Sequence, residues 1–266
     1  VSSPEEAKKI IHSTSIPLVV KADGLASGKG VFIPDSKEEC IRATESIFNG
    51  KFGNSGNMVV LEEKIQGPEV SVFALCDGIK YILLPSAQDH KRLNEEDKGP
   101  NTGGMGAYSP APLLTKNYLE RIIKEIIEPT INELNKKNID YKGVIYFGLM
   151  ITKSGPKVIE YNCRFGDPEC QTIMPLMDQS FVFLLEKCSM GNLTGSEKID
   201  NSDKVSGCVI ATSKGYPHEY KTGFPIKIGR IDPNDCQIFD SGTSLSKDGD
   251  LLTDGGRVLS LSLIHI

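Results

Sequence analysis

The chain has 266 residues, 39% of them apolar and 24% charged, which sets an expectation of one or two globular domains with a sizeable core. Thirty Lys and Arg against 35 Asp and Glu leave a net charge of −5, which excludes a broadly basic nucleic-acid surface but not a local phosphate pocket. The longest apolar run, residues 143–151, is about half of the roughly 20 residues that a membrane-spanning helix needs, and the seven cysteines are scattered without a C-x-x-C pair, a usage that fits a reducing, cytoplasmic compartment.

Residues 4–13 read as a helix, with Pro4 at its start and Glu5 and Glu6 in its first turn. Residues 17–22 are apolar and β-branched, a strand, and 31–33 resume a strand after the glycine-rich stretch 23–30. Residues 36–49 read as a helix with Ser36 as N-cap and Glu39 at the capping-box position. A strand follows over 57–62, and Asp77-Gly78 between the apolar runs of 70–84 predicts a hairpin. Residues 86–112 lose apolar periodicity and read as one long loop, a length that marks functional segments. Residues 114–135 predict an amphipathic helix that Pro129 should kink or split. Residues 143–151 predict a strand buried on both faces, joined by a turn at 153–156 to a partner over 157–161. Helices are expected over 168–177, with Asp167 as N-cap, and over 181–190. The polar stretch 191–204 suits a boundary, and short strands follow over 205–212, 226–228 and 237–239.

Five segments carry chemistry-bearing residues. The stretch Ala26-Ser27-Gly28-Lys29-Gly30 misses the P-loop pattern, because Asp23 stands where its first Gly belongs and Gly30 where its Ser or Thr belongs. It lies between two strands, so it reads either as a plain hairpin turn or as a flap that covers phosphates with backbone N–H groups and a lysine. Glu160 and Asn162 share one face at the end of a strand and offer hard oxygens that suit Mg²⁺ held with nucleotide phosphates, or Glu160 pairs with Arg164. Arg164 has the planar fork that binds phosphate or carboxylate. The long loop clusters Asp89, His90, Lys91 and Arg92 ahead of glycines that permit close backbone approach to a ligand. Glu62, Glu63, Lys64 and Ile65 leave a strand toward Glu69, an inter-lobe connector that could offer its backbone to a purine edge and a carboxylate to ribose.

Together and in this order, the segments resemble the ATP-grasp superfamily. The stretches 21–31 (KADGLASGKGV), 88–92 (QDHKR), 99–108 (GPNTGGMGAY) and 162–169 (NCRFGDPE) closely resemble the glycinamide ribonucleotide synthetase family, and the likeness runs over residues 1–258. The resemblance implies an α/β ATP-grasp fold whose two α+β lobes clamp ATP. Residues 1–64 would form a small lobe with the flap and 65–195 a large lobe with the substrate loop and metal site. Residues 196–259 would form part of a β-rich C-terminal domain, and 260–266 a non-native tail to be set aside from the fold. The implied activity is ATP-dependent ligation of glycine to 5-phosphoribosylamine through glycyl phosphate in de novo purine biosynthesis, with ATP and Mg²⁺ or Mn²⁺ as cofactors.

Carried over by position, Lys21, Ser27, Gly28 and Lys29 would contact the ATP phosphates. Glu62, Glu63, Lys64 and Ile65 would hold adenine, and Glu69 the ribose. Arg92 and Asn101 would lie near the phosphates, Glu160 and Asn162 would bind the metal, and Arg164 and Asp167 would face glycine or phosphoribosylamine as catalytic residues. No carboxylate stands over 147–150, so the metal would rest on few protein ligands and more phosphate oxygens. The resemblance also implies a cytoplasmic enzyme without nucleic-acid or membrane partners, with other purine-synthesis domains in the natural polypeptide. An N-terminal α/β domain of roughly 100 residues would precede residue 1, an ordinary domain size, so the chain reads as an incomplete copy. Two other readings compete: another ATP-grasp carboxylate–amine ligase, against which the long loop argues, and a non-catalytic ATP-binding module, against which Lys21, Lys29, Glu160 and Asn162 argue.

Overall fold

Ser3 caps the first helix of the computed structural model, its hydroxyl accepting from the Glu6 N–H at 3.2 Å, and starts α1 (Pro4–Ser13) at the predicted residue. The structure describes residues 1–26, 30–177, 181–197, 199, 204–232 and 236–265. They divide into two units, Val1–Gln66 and Gly67–Ile266.

In the first unit, β1 (Leu18–Ala22) is the centre of an antiparallel sheet flanked by β2 (Val31–Phe32) and β3 (Val59–Glu63). Between β2 and β3 lies α2 (Lys37–Ser46), capped by Ser36, whose hydroxyl accepts from the Glu39 N–H at 3.1 Å. The Glu39 carboxylate accepts from the Asp35 N–H, one residue before the cap. The helix does not run regularly to residue 49. It loosens into a π turn over Ile47–Lys51 that contains Gly50 at φ +90°. Ala7, Ile11, Cys40 and Ile47 pack against Val20 and Val59, and strand alternation therefore turns Lys21 to the opposite face of the sheet.

The second unit opens with the predicted hairpin, β4 (Glu69–Asp77) and β5 (Tyr81–Leu83), with Gly78 at φ +102° in its turn. The stretch 86–112 is not a plain loop. It is a hairpin nested in a hairpin: β6 (Gln88–Asp89) pairs with β9 (Gly106–Ser109), and inside them β7 (Arg92–Asn94) pairs with β8 (Lys98–Asn101). Its ladders are made by backbone groups with few apolar side chains, so periodicity gives no sign of them.

The expected long helix is split. It forms α3 (Lys116–Ile122), a π turn over Ile123–Ile127, and α4 (Glu128–Lys136), with Pro129 in the first turn of α4. Proline has no N–H to offer the preceding turn, and the widened turn absorbs the loss.

Strands β10 (Lys142–Thr152) and β11 (Gly155–Asn162) complete a sheet of order β11-β10-β4-β5. One face carries Val70, Val72, Phe147 and Leu149 against Ile122, Ile126, Ile127 and Ile131. The other carries Phe73, Leu75, Val144 and Tyr146 against Ile173 and Leu184. The central strands are thus buried on both sides, as continuous apolar runs predict.

Short helices follow: α5 (Cys170–Ile173), extended by a 3-10 turn over Met174–Leu176, and α6 (Phe181–Met190). Asp167 does not cap α5, since Glu169 occupies that position with helical backbone angles. The chain then forms β12 (Val205–Thr212), β13 (Cys236–Asp240), β14 (Thr243–Leu245), β15 (Leu251–Thr253) and β16 (Arg257–His265). A second sheet has the order β13-β16-β12-β9-β6, so the nested hairpin supplies two of its strands. The strand expected over 226–228 is reduced to an isolated bridge between Pro225 and Leu252. Residues 260–265, set aside as a tail in the sequence reading, lie within β16 and pair with β12 on one side, with 260–263 also pairing with β13 on the other. Among the described residues no helix is long and apolar enough to cross a membrane.

Candidate functional site

In the first unit the Lys21 ammonium pairs with the Glu62 carboxylate at 2.6 Å, on the sheet face away from the helices. The β1–β2 hairpin closes through an Ala22 N–H bond to the Gly30 carbonyl, and its opening residue Gly24 donates to the Ser55 carbonyl at 3.1 Å. Ser27, Gly28 and Lys29 lie outside the described residues. Glu63 is exposed, and Ile65 is half-buried. The Lys64 side chain turns back to Asp35 at 2.9 Å, and its N–H is spent on the Pro17 carbonyl.

In the second unit the polar site forms where one apolar sheet face runs out. Register places Ser71 on β4 opposite Gly148 on β10, and Gly148 opposite Glu160 on β11. Glu69 and Asn162, two residues along their strands, share that face. A bulge in β11 between the Gly148 and Leu149 pairings sets the register of this end. Gly148 has no room for a side chain, since a Cβ there would lie 2.9 Å from Glu160 Cγ and 3.2 Å from Tyr146 Cε1. Glu160 is exposed and Asn162 half-buried. Arg164 donates to the Phe165 carbonyl at 2.7 Å, so the Glu160–Arg164 pair considered from sequence does not form.

Beside these residues is a polar network, half-buried at Lys91 and Glu69 and buried at Ser71, Tyr146 and Glu169. The Lys91 ammonium pairs with Glu69 at 2.9 Å and lies 3.9 Å from Asp89. Ser71 Oγ donates to Glu169 Oε1 at 3.0 Å and shares a 3.0 Å hydrogen bond with the Tyr146 hydroxyl. Burial pushes the Asp89 carboxyl up to about 6, with Glu169 and Glu69 adding to the rise and Lys91 opposing it. Burial works to lower the Lys91 pKa, but Asp89, Glu69 and Glu160 outweigh it and hold the ammonium above its ordinary range. Burial, then Glu169, raises the Tyr146 phenol, which stays neutral.

Arg92 and Asn101 are exposed cross-strand partners on β7 and β8, and Arg92 donates to the Gly99 carbonyl at 2.8 Å. The glycines that follow serve the protein's own packing. Gly104, at φ +112°, lies where a Cβ would overlap Pro168 Cδ, so the loop is pressed onto the 164–169 segment. Asp167 is bound on both carboxylate oxygens by Arg257, at 2.9 and 3.2 Å. Sequence reading does not single out Ser71, Tyr146, Glu169 or Arg257. Ser71 and Tyr146 are signalled only by being polar residues within apolar runs, Glu169 by closing the family-like stretch 162–169, and Arg257 by lying inside the likeness over residues 1–258.

The family model for the phosphoribosylglycinamide synthetase ATP-grasp (A) domain matches residues 1–170, and that for the C domain matches residues 206–265. The chain belongs to the phosphoribosylglycinamide synthetase family. It is 44% identical over 262 residues to a phosphoribosylamine–glycine ligase of Leptospira interrogans, a match that takes in 98% of this chain and 61% of that protein. It is 44% identical over 266 residues to the trifunctional purine biosynthetic protein adenosine-3 of Gallus gallus, with 99% of this chain and 26% of the relative covered. The chain thus spans about three fifths or less of the curated relatives it matches. The crystal structure of phosphoribosylamine–glycine ligase from Thermotoga maritima superposes with a TM-score of 0.85 at 35% identity, covering 98% of this chain and 65% of that one. A biotin carboxylase domain from Hydrogenobacter thermophilus, 19% identical with a TM-score of 0.72, shares the ATP-grasp fold. The family's A-domain stretch supplies β9 and its C-domain stretch supplies β12, so the second sheet is built from both.

The donor set suits a hard cation that keeps most of its ligands from elsewhere. Among the described residues no group of three or more His, Cys, Asp or Glu is arranged to hold a metal alone. Two oxygen-bearing side chains, Glu160 and Asn162, stand on one face, and one or two protein oxygens completed by phosphate and water is how Mg²⁺ is commonly held.

Proposed function

We propose that the protein joins glycine to 5-phosphoribosylamine at the cost of ATP, giving glycinamide ribonucleotide, ADP and phosphate. One observation carries the reading: in a chain of this family, Glu160 and Asn162 share a sheet face with Glu69, which Lys91 joins to Asp89. A glycine carboxylate oxygen attacks the γ-phosphorus, the bond to the β-phosphate oxygen breaks, and ADP leaves. The amine of phosphoribosylamine then attacks the acyl carbon of glycyl phosphate, phosphate departs, and the amine loses a proton. The chemistry needs reactants held in line and charge neutralised rather than a protein nucleophile.

Lys21 meets the phosphates while keeping Glu62 as its anchor, because an ammonium has three donors. Ser27, Gly28 and Lys29 complete that contact from the flap. Glu62, Glu63, Lys64 and Ile65 border the adenine. Glu69 accepts from ribose hydroxyls with the lone pairs that Lys91 leaves free, and Arg92 with Asn101 faces the phosphates. Mg²⁺, or Mn²⁺, held by Glu160 and Asn162 supplies charge neutralisation on the phosphates when bound. Arg164 binds the carboxylate or phosphate of the second substrates, and Asp167 faces them with the carboxylate lone pairs that Arg257 leaves free. The flap keeps water from the acyl phosphate.

All seven cysteines are free thiols, which suits a reducing compartment, and the proposal places the enzyme in the cytoplasm. The likeness to trifunctional relatives extends the proposal to other purine-synthesis domains in the natural polypeptide.

The test is ADP release with ATP and Mg²⁺, adding glycine and phosphoribosylamine separately and together. The expected result is release that needs both. Release at the same rate with and without glycine would sink the reading.

A further inference from the structure

Arg257 touches both the glycine-rich and the acidic parts of the second unit's site. Its Nη1 donates to the Gly103 carbonyl at 2.6 Å, to the Asp167 carbonyl at 3.1 Å and to Asp167 Oδ1 at 3.2 Å, and its Nη2 donates to Asp167 Oδ2 at 2.9 Å. The other side of Gly103 is held too, its N–H donating to the Tyr216 hydroxyl at 2.8 Å. Both peptide groups of Gly103 are thus fixed by residues that follow β12.

The contacts run on toward the Lys91 network. Thr102 donates through its N–H and its hydroxyl to the Lys91 carbonyl, at 2.7 and 2.8 Å, and the Met105 N–H donates to the His90 carbonyl at 2.8 Å. Lys91 carries the ammonium between Glu69 and Asp89. On the other branch, Asp167 stands two residues before Glu169, which receives the Ser71 hydroxyl.

We propose that Arg257 is a positioning residue that locks the loop at Gly103–Gly104 to the Arg164–Glu169 segment and, through Thr102, sets the place of Lys91. The substrates it serves are those of the ligase reading, on which the functional half of this proposal rests. A planar guanidinium can reach two carbonyls and both carboxylate oxygens at once, and a lysine ammonium has no such fork. The Asp167 side chain is 47% exposed and that of Arg257 21%, so the pair adds little to global stability, and its effect belongs to local geometry.

The test compares the wild-type protein with Arg257→Ala and Arg257→Lys in two readouts. In amide hydrogen exchange, both variants are expected to exchange faster at Gly103, Gly104 and Met105, with β10 and β4 unchanged. In the ADP-release assay, kcat/KM for glycine and phosphoribosylamine is expected to fall on the order of 100-fold, with KM for ATP unmoved and no rescue by lysine. Asp167→Asn combined with Arg257→Ala is expected to be no worse than Arg257→Ala alone, because the two act as one unit. Unchanged exchange at Gly103–Met105 overturns the clamp. Faster exchange with unaltered kcat/KM overturns the functional half. A full-length natural protein that releases no ADP in response to both substrates defeats the ligase reading, while the exchange data still decide the clamp. If Arg257→Ala does not fold, Arg257→Lys carries the same readouts.

Discussion

Asp89 is held where a carboxylate is hard to ionise: its side chain is 7% exposed, and Glu69 and Glu169 press on it from nearby. Its pKa of about 6 lies above the ordinary 3.8, so the folded protein favours the protonated form more than the unfolded chain does. The resulting stability is complete below the unfolded value and is lost as pH rises through about 6. Relative to Asp89→Asn, the wild type should therefore lose on the order of 3 kcal/mol of unfolding free energy between about pH 4 and pH 7. Urea unfolding of both proteins across that range checks it, and a constant difference would show that Asp89 titrates normally. At this scale, the shared face of Glu160 and Asn162 is legible because an i, i+2 pair on a strand points to one side. The acidic and basic cluster at 89–92 was visible as a composition. Its partners were not, because Arg257 lies 154 residues from Gly103 and 90 from Asp167, and no local pattern spans such distances.

At the scale of elements, apolar runs with a clear period were readable and backbone-made pairings were not. The strand at 143–151 and its partner are found close to the expected bounds because a sheet covered on both faces leaves an unbroken apolar signature. The helix at 114–135 showed its stripe and its proline, but not the π turn that the proline imposes. The stretch 86–112 hid four strands, one of which takes its partner from β12, about 100 residues further on. The glycines there suit a close backbone approach to a ligand, and Gly104 also lets one protein segment rest on another. The stripe carries a prediction. Ile127 is fully buried in the core between the helices and the β11-β10-β4-β5 sheet. Ile127→Ala should cost about 2–5 kcal/mol by lost burial and cavity formation, read as a lowered urea midpoint with an unchanged slope. A cost under about 1 kcal/mol would mean that the helices do not pack there as described.

Across the whole molecule, fold and family were legible from the order of the segments, because each loop keeps its chemistry next to the same strand. The sharing of one sheet between the A-domain and C-domain stretches was not, and it places residues 260–265 inside the fold rather than after it. The central claim is that the glycine carboxylate is activated by phosphorylation before the amine attacks. It predicts where one oxygen goes. With glycine labelled with oxygen-18 in its carboxylate, ATP, Mg²⁺ and phosphoribosylamine, mass spectrometry of the released phosphate should find one labelled oxygen per molecule formed. Unlabelled phosphate, produced at the same rate as ADP, would show that ATP is split by water and would contradict the account.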